Sequence, residues 1–279
     1  MGVSGKTEGA MSRRNLLTGC AALLAGGGIG SGLTAFAGSN PGAAEAPAGV
    51  PPLPWKWATL DPLEAGRRAY RLYIEKGAGC GTASYLSLLS LLQEKVGHPW
   101  TTLPEMLMSH AQAGYAGHGT LCGALGGVTT IINLATYDEK ADTSRQIIDR
   151  LFWWYAEQEF PTDRFDDISS MPKQVKVKAQ TPLCHSSVSS WTLAAGAEVT
   201  SKAKKERCAK VCGEVVFTVV NAGNEYFAGR WSPPVWKPSK QTEHCVQCHG
   251  PDDMWQTGEG MNHQQGHMEC LLCHTDHTT

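Results

Sequence analysis

The sequence is short of charge and has no excess of basic residues. Its 279 residues include 24 Lys or Arg and 26 Asp or Glu, so charged residues make up 18% of the chain and the formal net charge is -2. A protein that binds nucleic acid or an anionic membrane needs a positively charged surface, which this composition does not supply. We therefore expect no nucleic acid among its partners.

Apolar residues are not lacking, since they form 42% of the chain, enough for one or two ordinary hydrophobic cores. The unusual part of the composition is its 10 Cys, 10 His and 9 Trp. Sulfur and imidazole in this quantity point to metal or cofactor chemistry.

Residues 1–37 have the order of a twin-arginine signal peptide. Arg13 and Arg14 precede an uncharged run of Gly, Ala and Leu over Leu16–Ala37, and its glycines make this run too weakly apolar for a membrane span. Cys20 resembles a lipoprotein cleavage site, but it stands before most of the apolar run instead of closing it. We expect export to the periplasm, cleavage near residue 37 and no membrane span.

Residues 55–231 are predicted to form a mainly α, cysteine-bearing body. Asp61, Pro62 and Glu64 provide the cap, the first-turn proline and the acidic first turn of a helix start. The stretch Lys202–Phe227 contains β-prone valines, but its length favours a helix. Apolar residues recur at helical spacing in three further segments, over 83–96, 121–137 and 143–160.

Two segments of different composition flank this body. Residues 38–54 are rich in Pro, Ala and Gly and predict a flexible tether. Prolines end the body after residue 231, and residues 232–279 predict a loop-rich C-terminal segment.

The C-terminal segment contains two copies of C-x-x-C-H, the attachment motif of c-type haem. In each copy two thiols can form thioethers with the vinyl groups of one porphyrin, and the histidine that follows can bind the iron from the proximal side. The two copies predict two covalently bound haem c groups on six residues: Cys245, Cys248, His249, Cys270, Cys273 and His274.

Two other interpretations of these cysteines are open. The spacing of the two pairs is close to that of a four-cysteine zinc ribbon, and each pair can also form a disulfide in an oxidising compartment. Haem is favoured because a histidine follows each second cysteine, and because the predicted export brings the chain to the compartment where haem is attached.

Each haem iron needs a sixth ligand or an open position, and this choice separates an electron carrier from a catalyst. His263 and His267 are spaced i and i+4, share a face if helical, and are the first candidates for distal ligands. His244 and His277 also lie near the motifs. The alternative is a methionine ligand, which raises the reduction potential, and three are available: Met254, Met261 and Met268.

Five cysteines lie in the predicted body, and an odd number cannot all pair as disulfides. Thiolates gathered from separate helices suit an iron–sulfur cluster, whereas one or two disulfides with a buried thiol are the alternative. The candidate ligands are Cys80, Cys122, Cys184, Cys208 and Cys212.

The stretch Gly119–Gly127, which contains Cys122, matches the central motif of a family of helical redox proteins named for its C-GCAxxG-C-C pattern. Together with the C-terminal haem motifs, the chain from about residue 60 onwards resembles the split-Soret cytochromes c of sulfate-reducing bacteria. In this resemblance Cys80 and Cys184 match the first and third cysteines of the pattern, and either Cys208 or Cys212 matches the last.

The resemblance implies a homodimer with two electronically coupled haems per subunit, histidine on both axial sides of each iron, and an iron–sulfur centre on body cysteines. It also implies that a distal ligand can come from the other chain. Further candidates for such a ligand are His98, His110, His118 and His244.

The function predicted from these features is that of a periplasmic dihaem cytochrome c that exchanges electrons with redox partner proteins. Bis-histidine ligation keeps haem potentials low, which suits anaerobic respiration. The alternative is an enzyme, a small haem-dependent reductase of an inorganic substrate, which requires a five-coordinate haem open to that substrate.

Overall fold

The computed structural model describes residues 49–140, 142–232, 237–250 and 266–278. The predicted signal peptide and most of the predicted tether lie outside the described residues. In the described part of the chain the fold is mainly α, which confirms the predicted class. Its helices are α1 (Pro62–Glu75), α2 (Gly79–Lys95), α3 (Gly123–Thr136), α4 (Thr143–Glu157), α5 (Cys184–Ala195), α6 (Lys202–Phe227) and α7 (Lys240–His249).

The strand content of the described residues is small. Strands β1 (Glu159–Phe160) and β2 (Val177–Lys178) pair antiparallel, with Glu159 opposite Lys178 and Phe160 opposite Val177. Among the described residues, the helices are all too short or too polar to traverse a lipid bilayer.

Helix α1 begins as the sequence predicts. The Asp61 carboxylate accepts hydrogen bonds from the backbone N–H groups of Leu63 and Glu64, at 2.8 and 3.1 Å, and Pro62 occupies the first turn. These bonds satisfy donors that a helix start leaves without partners. Helix α1 ends before Gly77, whose φ is +61°.

Helix α6 is the helix around which the body packs. It contacts α1, α2, α3 and α4, and it buries valines on several sides, among them Val211, Val215, Val216, Val219 and Val220. Burial of these side chains in a common core outweighs their preference for strands. The predicted helix over Lys202–Phe227 is therefore confirmed.

Helices α2 and α3 approach each other closely because Gly127 of α3 leaves room for the backbone of α2. A Cβ atom on Gly127 would lie 2.4 Å from the backbone oxygen of Gly81, whereas a Cβ atom on Gly81 would lie 2.7 Å from the backbone oxygen of Met108, in the segment between the two helices. Helix α2 starts at Gly79, four residues before the predicted start at residue 83, so Cys80 lies in its first turn. The crossing brings the start of α2 next to the start of α3.

Candidate functional site

All five body cysteines line one cavity of about 250 Å³. Cys80 lies in the first turn of α2, Cys122 immediately precedes α3, Cys184 is the first residue of α5, and Cys208 and Cys212 lie one turn apart on α6. The structure thus brings together every sulfur that the sequence proposed as a cluster ligand. All nine cysteines of the described residues are free thiols.

A short backbone ladder sets Cys122 beside Cys184. Leu121 forms an antiparallel bridge with Leu183, the Cys122 N–H donates to the Pro182 carbonyl at 2.9 Å, and the Cys184 N–H donates to the Thr120 carbonyl at 2.7 Å. The position of each sulfur is therefore fixed by main-chain hydrogen bonds and not only by side-chain packing.

Burial disfavours ionisation of the thiols in this cavity. Burial raises the pKa of the Cys80 thiol to about 12, and the nearby thiols of Cys122 and Cys208 raise it further. Burial likewise raises the pKa of Cys122, Cys184 and Cys212. Because a metal must be bound by thiolates, the positive charge that ionises these groups has to come largely from the metal itself.

The donor set is suited to iron held by sulfur. A cluster of several iron atoms takes about four thiolates, and the cavity supplies five thiols from four separate helical elements. Among the described residues, no three His, Cys, Asp or Glu side chains lie close enough together to hold one metal ion as they are placed. The thiols therefore surround a space and do not converge on a single point.

Three polar residues on the cavity wall were not predicted from the sequence. Arg207 is 1% exposed, and its Nη2 donates to the Ser187 hydroxyl at 2.7 Å. The Tyr155 hydroxyl donates to the same Ser187 oxygen at 2.8 Å, and Tyr155 lines the same cavity as Cys122. The only local signal for this group is the position of Arg207 directly before Cys208.

The two predicted haem motifs meet around a second cavity of about 440 Å³, which we call the haem cavity after these motifs. Helix α7 presents the first motif, and a turn closed by the His274 N–H donating to the Cys270 carbonyl at 3.0 Å presents the second. Five of the six motif residues line the cavity, whereas Cys273 is exposed and does not: the lining members are Cys245, Cys248, His249, Cys270 and His274.

Glu269 joins the two motifs. Its carboxylate accepts the Ser239 N–H at 3.1 Å and also the hydroxyls of Ser239 and Thr242, all three groups belonging to the start of α7. Because Glu269 immediately precedes Cys270, these bonds hold the second motif against the helix that carries the first. Burial raises the pKa of the Cys245 thiol, and the neighbouring Cys270 thiol raises it further.

The candidate distal histidines have different surroundings. His244 and His277 line the haem cavity, where the His277 ring lies edge-on to His249 with 5.7 Å between ring centroids. His267 Nδ1 lies 2.7 Å from the Asp149 carboxylate on α4, and His263 lies outside the described residues. Their assignment as distal ligands stays a prediction.

The remaining histidines lie away from the haem cavity. His98 is bonded to the Gly49 carbonyl, and the His110 ring packs against Tyr115. His185 lines the cysteine cavity. Of the three candidate methionine ligands only Met268 belongs to the described residues.

Comparisons with known proteins agree with this picture. Residues 86–222 match the family model described as "Putative redox-active protein (C_GCAxxG_C_C)", a span that includes four of the five cavity cysteines but neither haem motif. The chain is 29% identical over 272 residues to split-Soret cytochrome c of Desulfovibrio desulfuricans, covering 95% of each chain.

A solved structure from the same organism is also similar. It is titled "A novel iron centre in the split-Soret cytochrome c", and it aligns with a TM-score of 0.70 and 28% identity over 80% of this chain and 91% of that chain.

Proposed function

This chain is a homologue of the split-Soret cytochromes c, and we propose that it is a periplasmic electron-transfer cytochrome with two covalent haem c groups and a cysteine-bound iron–sulfur centre. The observation that carries the proposal is that the body cysteines share one cavity while both C-x-x-C-H motifs face another. Two proposed redox sites in one small chain suit the passage of single electrons from one centre to the other.

The residues present suit both groups. In the C-terminal segment each motif offers two thiols for thioether bonds and a proximal imidazole, on His249 and His274. The haems would supply reversible one-electron chemistry, and the contact of Glu269 with the start of α7 would hold together the two motifs that bind them. We keep His263 and His267 as proposed distal ligands, with His244 and His277 as their nearest rivals.

We assign the iron–sulfur centre to four of the five cavity cysteines. Cys80, Cys122 and Cys208 each lie close enough to influence the ionisation of both Cys184 and Cys212, so they form the common part of the group. Cys184 is partly exposed, and the Arg207 charge lowers its pKa, opposing the larger effect of burial. Cys212 is fully buried, so we propose that Cys184 is the fourth ligand and Cys212 is not a ligand.

The proposal includes the assembly and location of the protein. A twin-arginine signal over residues 1–37 would export the chain, with residues 38–54 as tether, 55–231 as the cluster-bearing body and 232–279 as the dihaem segment. A homodimer with redox protein partners and a role in anaerobic respiration complete it. The split-Soret relative supports the haem and the iron centre.

The test of this proposal is a metal and pigment analysis of the holoprotein from a host that attaches haem c. A pyridine haemochrome assay is expected to give two haems per chain, and iron with acid-labile sulfide is expected in excess of the haem iron. The Cys184→Ser variant should lose that excess, whereas Cys212→Ala, which removes only a buried sulfur, should keep it. Colourless protein that contains zinc would refute the haem assignment.

A second measurement distinguishes the carrier from a haem-dependent reductase. With histidine on both sides of each iron, the reduced protein should not bind carbon monoxide until it is denatured. Binding by the folded protein would reveal an open haem position and favour the reductase.

A further inference from the structure

We infer that Arg207, Ser187 and Tyr155 form a hydrogen-bonded chain that ends on the Cys122 sulfur and sets the reduction potential of the centre in the cysteine cavity. These are positioning residues, since Tyr155 and Ser187 act through Cys122 and Arg207 acts through its positive charge. The inference rests on the proposed iron–sulfur centre, and it names the part of the protein that tunes it.

The three side chains form a continuous buried path. Arg207 is 1% exposed, Ser187 1% and Tyr155 0%, so water does not compete for their hydrogen bonds. The path runs from Arg207 Nη2 to the Ser187 hydroxyl over 2.7 Å, and from there to the Tyr155 hydroxyl over 2.8 Å. Tyr155 and Cys122 line the same cavity, and the Tyr155 hydroxyl opposes the burial that raises the pKa of the Cys122 thiol. All four residues line or adjoin the cysteine cavity, Ser187 from α5, Arg207 from α6 and Tyr155 from α4.

Arg207 differs in its partners from two other buried charged residues of α6, whereas the remaining one, Glu206, accepts hydrogen bonds from hydroxyls. Lys210 is paired with Asp166, and Glu214 is paired with Arg164. Within the part of the chain that the structure describes, no carboxylate forms an ion pair with Arg207, and its buried Nε has no hydrogen-bond partner. A buried guanidinium without a counter-charge is strongly unfavourable, so the cavity that Arg207 lines is suited to a negatively charged occupant.

A thiolate-bound cluster is an occupant of that kind. In the structure the Tyr155 hydroxyl donates to Ser187. A Cys122 thiolate can only accept a hydrogen bond, so in its presence the Tyr155 hydroxyl turns its proton to the sulfur and accepts from Ser187 instead. Ser187 in turn accepts from Arg207. Each of the two hydroxyls then donates its single proton, Arg207 donates to Ser187, and each bond polarises the next.

This arrangement favours the more negative, reduced state of the centre. Hydrogen bonds to cluster sulfurs and nearby positive charge both raise reduction potentials. Removal of the last donor or of the cation should therefore make the centre harder to reduce.

The test is a redox titration of the iron–sulfur signal in the holoprotein, followed by electron paramagnetic resonance, with the haem bands recorded in parallel. Tyr155→Phe deletes one hydroxyl from a buried ring and is expected to lower the midpoint by about 59 mV, which is a tenfold change in the equilibrium constant of a one-electron couple. Arg207→Gln should lower it further, and Arg207→Lys, which keeps the charge, should recover part of the loss. The haem potentials should not move.

Tyr85→Phe is the matched control. Tyr85 is also fully buried, but its hydroxyl donates to the Pro104 carbonyl at 3.2 Å and it does not line the cysteine cavity. It should leave the midpoint of the centre unchanged. If the wild-type protein has the centre and Tyr155→Phe titrates like Tyr85→Phe, the inference is overturned while the proposed function stands. A wild-type protein without non-haem iron overturns both.

Discussion

Exchange of Gly127 for alanine is expected to separate the two helices that bring Cys80 and Cys122 together. A Cβ atom there would lie 2.4 Å from the Gly81 carbonyl oxygen and 2.9 Å from the Tyr85 backbone nitrogen, whereas ordinary contacts begin at 3.4 Å. Both obstacles are backbone atoms of α2, so relief requires α2 and α3 to move apart by about 1 Å.

Two opposing effects set the magnitude. Alanine in place of glycine stabilises a helix interior by about 1 kcal/mol. Overpacking costs about 1–3 kcal/mol, and a radial gap of about 1 Å along the rest of the interface forfeits up to half of each dispersion contact. Because backbone blocks the methyl group, we take the upper part of this range and expect Gly127→Ala to lower the free energy of unfolding by about 1–2 kcal/mol.

Gly126→Ala is the matched control because it lies one residue away on the same helix. Its Cβ atom would meet the hydroxyl of Tyr115 at 2.2 Å, which is the end of a half-buried side chain that can move aside. The helix-propensity gain of about 1 kcal/mol is then largely kept. The difference between the two variants should be about 2–3 kcal/mol.

Urea denaturation followed by far-ultraviolet circular dichroism measures this difference, and the non-haem iron content reports on the cysteine cavity. Gly127→Ala should lose stability and iron together, whereas Gly126→Ala should retain both. A Gly127→Ala protein as stable as Gly126→Ala, with a full iron content, would refute the argument that this crossing positions the ligands.

Three further predictions concern the scaffold. Asp61→Ala should cost about 1 kcal/mol in urea denaturation because it removes the acceptor for the first N–H groups of α1. Asn224→Ala should cost about 2 kcal/mol, since the Asn224 side-chain amide is hydrogen-bonded to both the Trp57 ring and the backbone of Leu60. Leu193→Ala, at an exposed position, should leave the stability unchanged. Burial raises the pKa of Glu206, but hydrogen bonds from neighbouring hydroxyls outweigh burial and hold the pKa below its usual value. The ionised Glu206 therefore stabilises the fold above its unfolded pKa, and this stabilisation is lost as the pH falls through the folded pKa. Glu206→Gln should therefore be less stable by about 1–3 kcal/mol at neutral pH and show a flatter acid-side stability profile; equal profiles would contradict this.

The helices that could be predicted are those with clear local signals. Asp61 and Pro62 mark the start of α1, and the long apolar pattern of Lys202–Phe227 defines α6. The sequence predicts the start of α2 four residues late because Gly79 and Gly81 are poor helix formers when judged alone. Glycine is favoured at both positions because Gly79 has a φ of +73° and a Cβ atom on Gly81 would lie 2.6 Å from the Cβ atom of Ala111, in the segment between α2 and α3.

The cysteine site was predictable as a set of residue types but not as a place. Sequence spacing identifies the sulfurs, whereas the wall formed by Tyr155, Ser187 and Arg207 depends on three helices meeting in space. The role of Glu269 has the same origin, since its partners are about 30 residues earlier in the chain. Such contacts leave no local periodicity from which they could be inferred.

One consequence follows from the position of Arg207 on α6, the helix on which the body is built. Among the described residues no carboxylate forms an ion pair with Arg207, so a chain without the proposed iron–sulfur centre would carry an internal electrostatic penalty that loading would relieve. Acquisition of that centre and completion of the native state would then be a single cooperative event, and incompletely assembled molecules would be the ones most open to proteolysis.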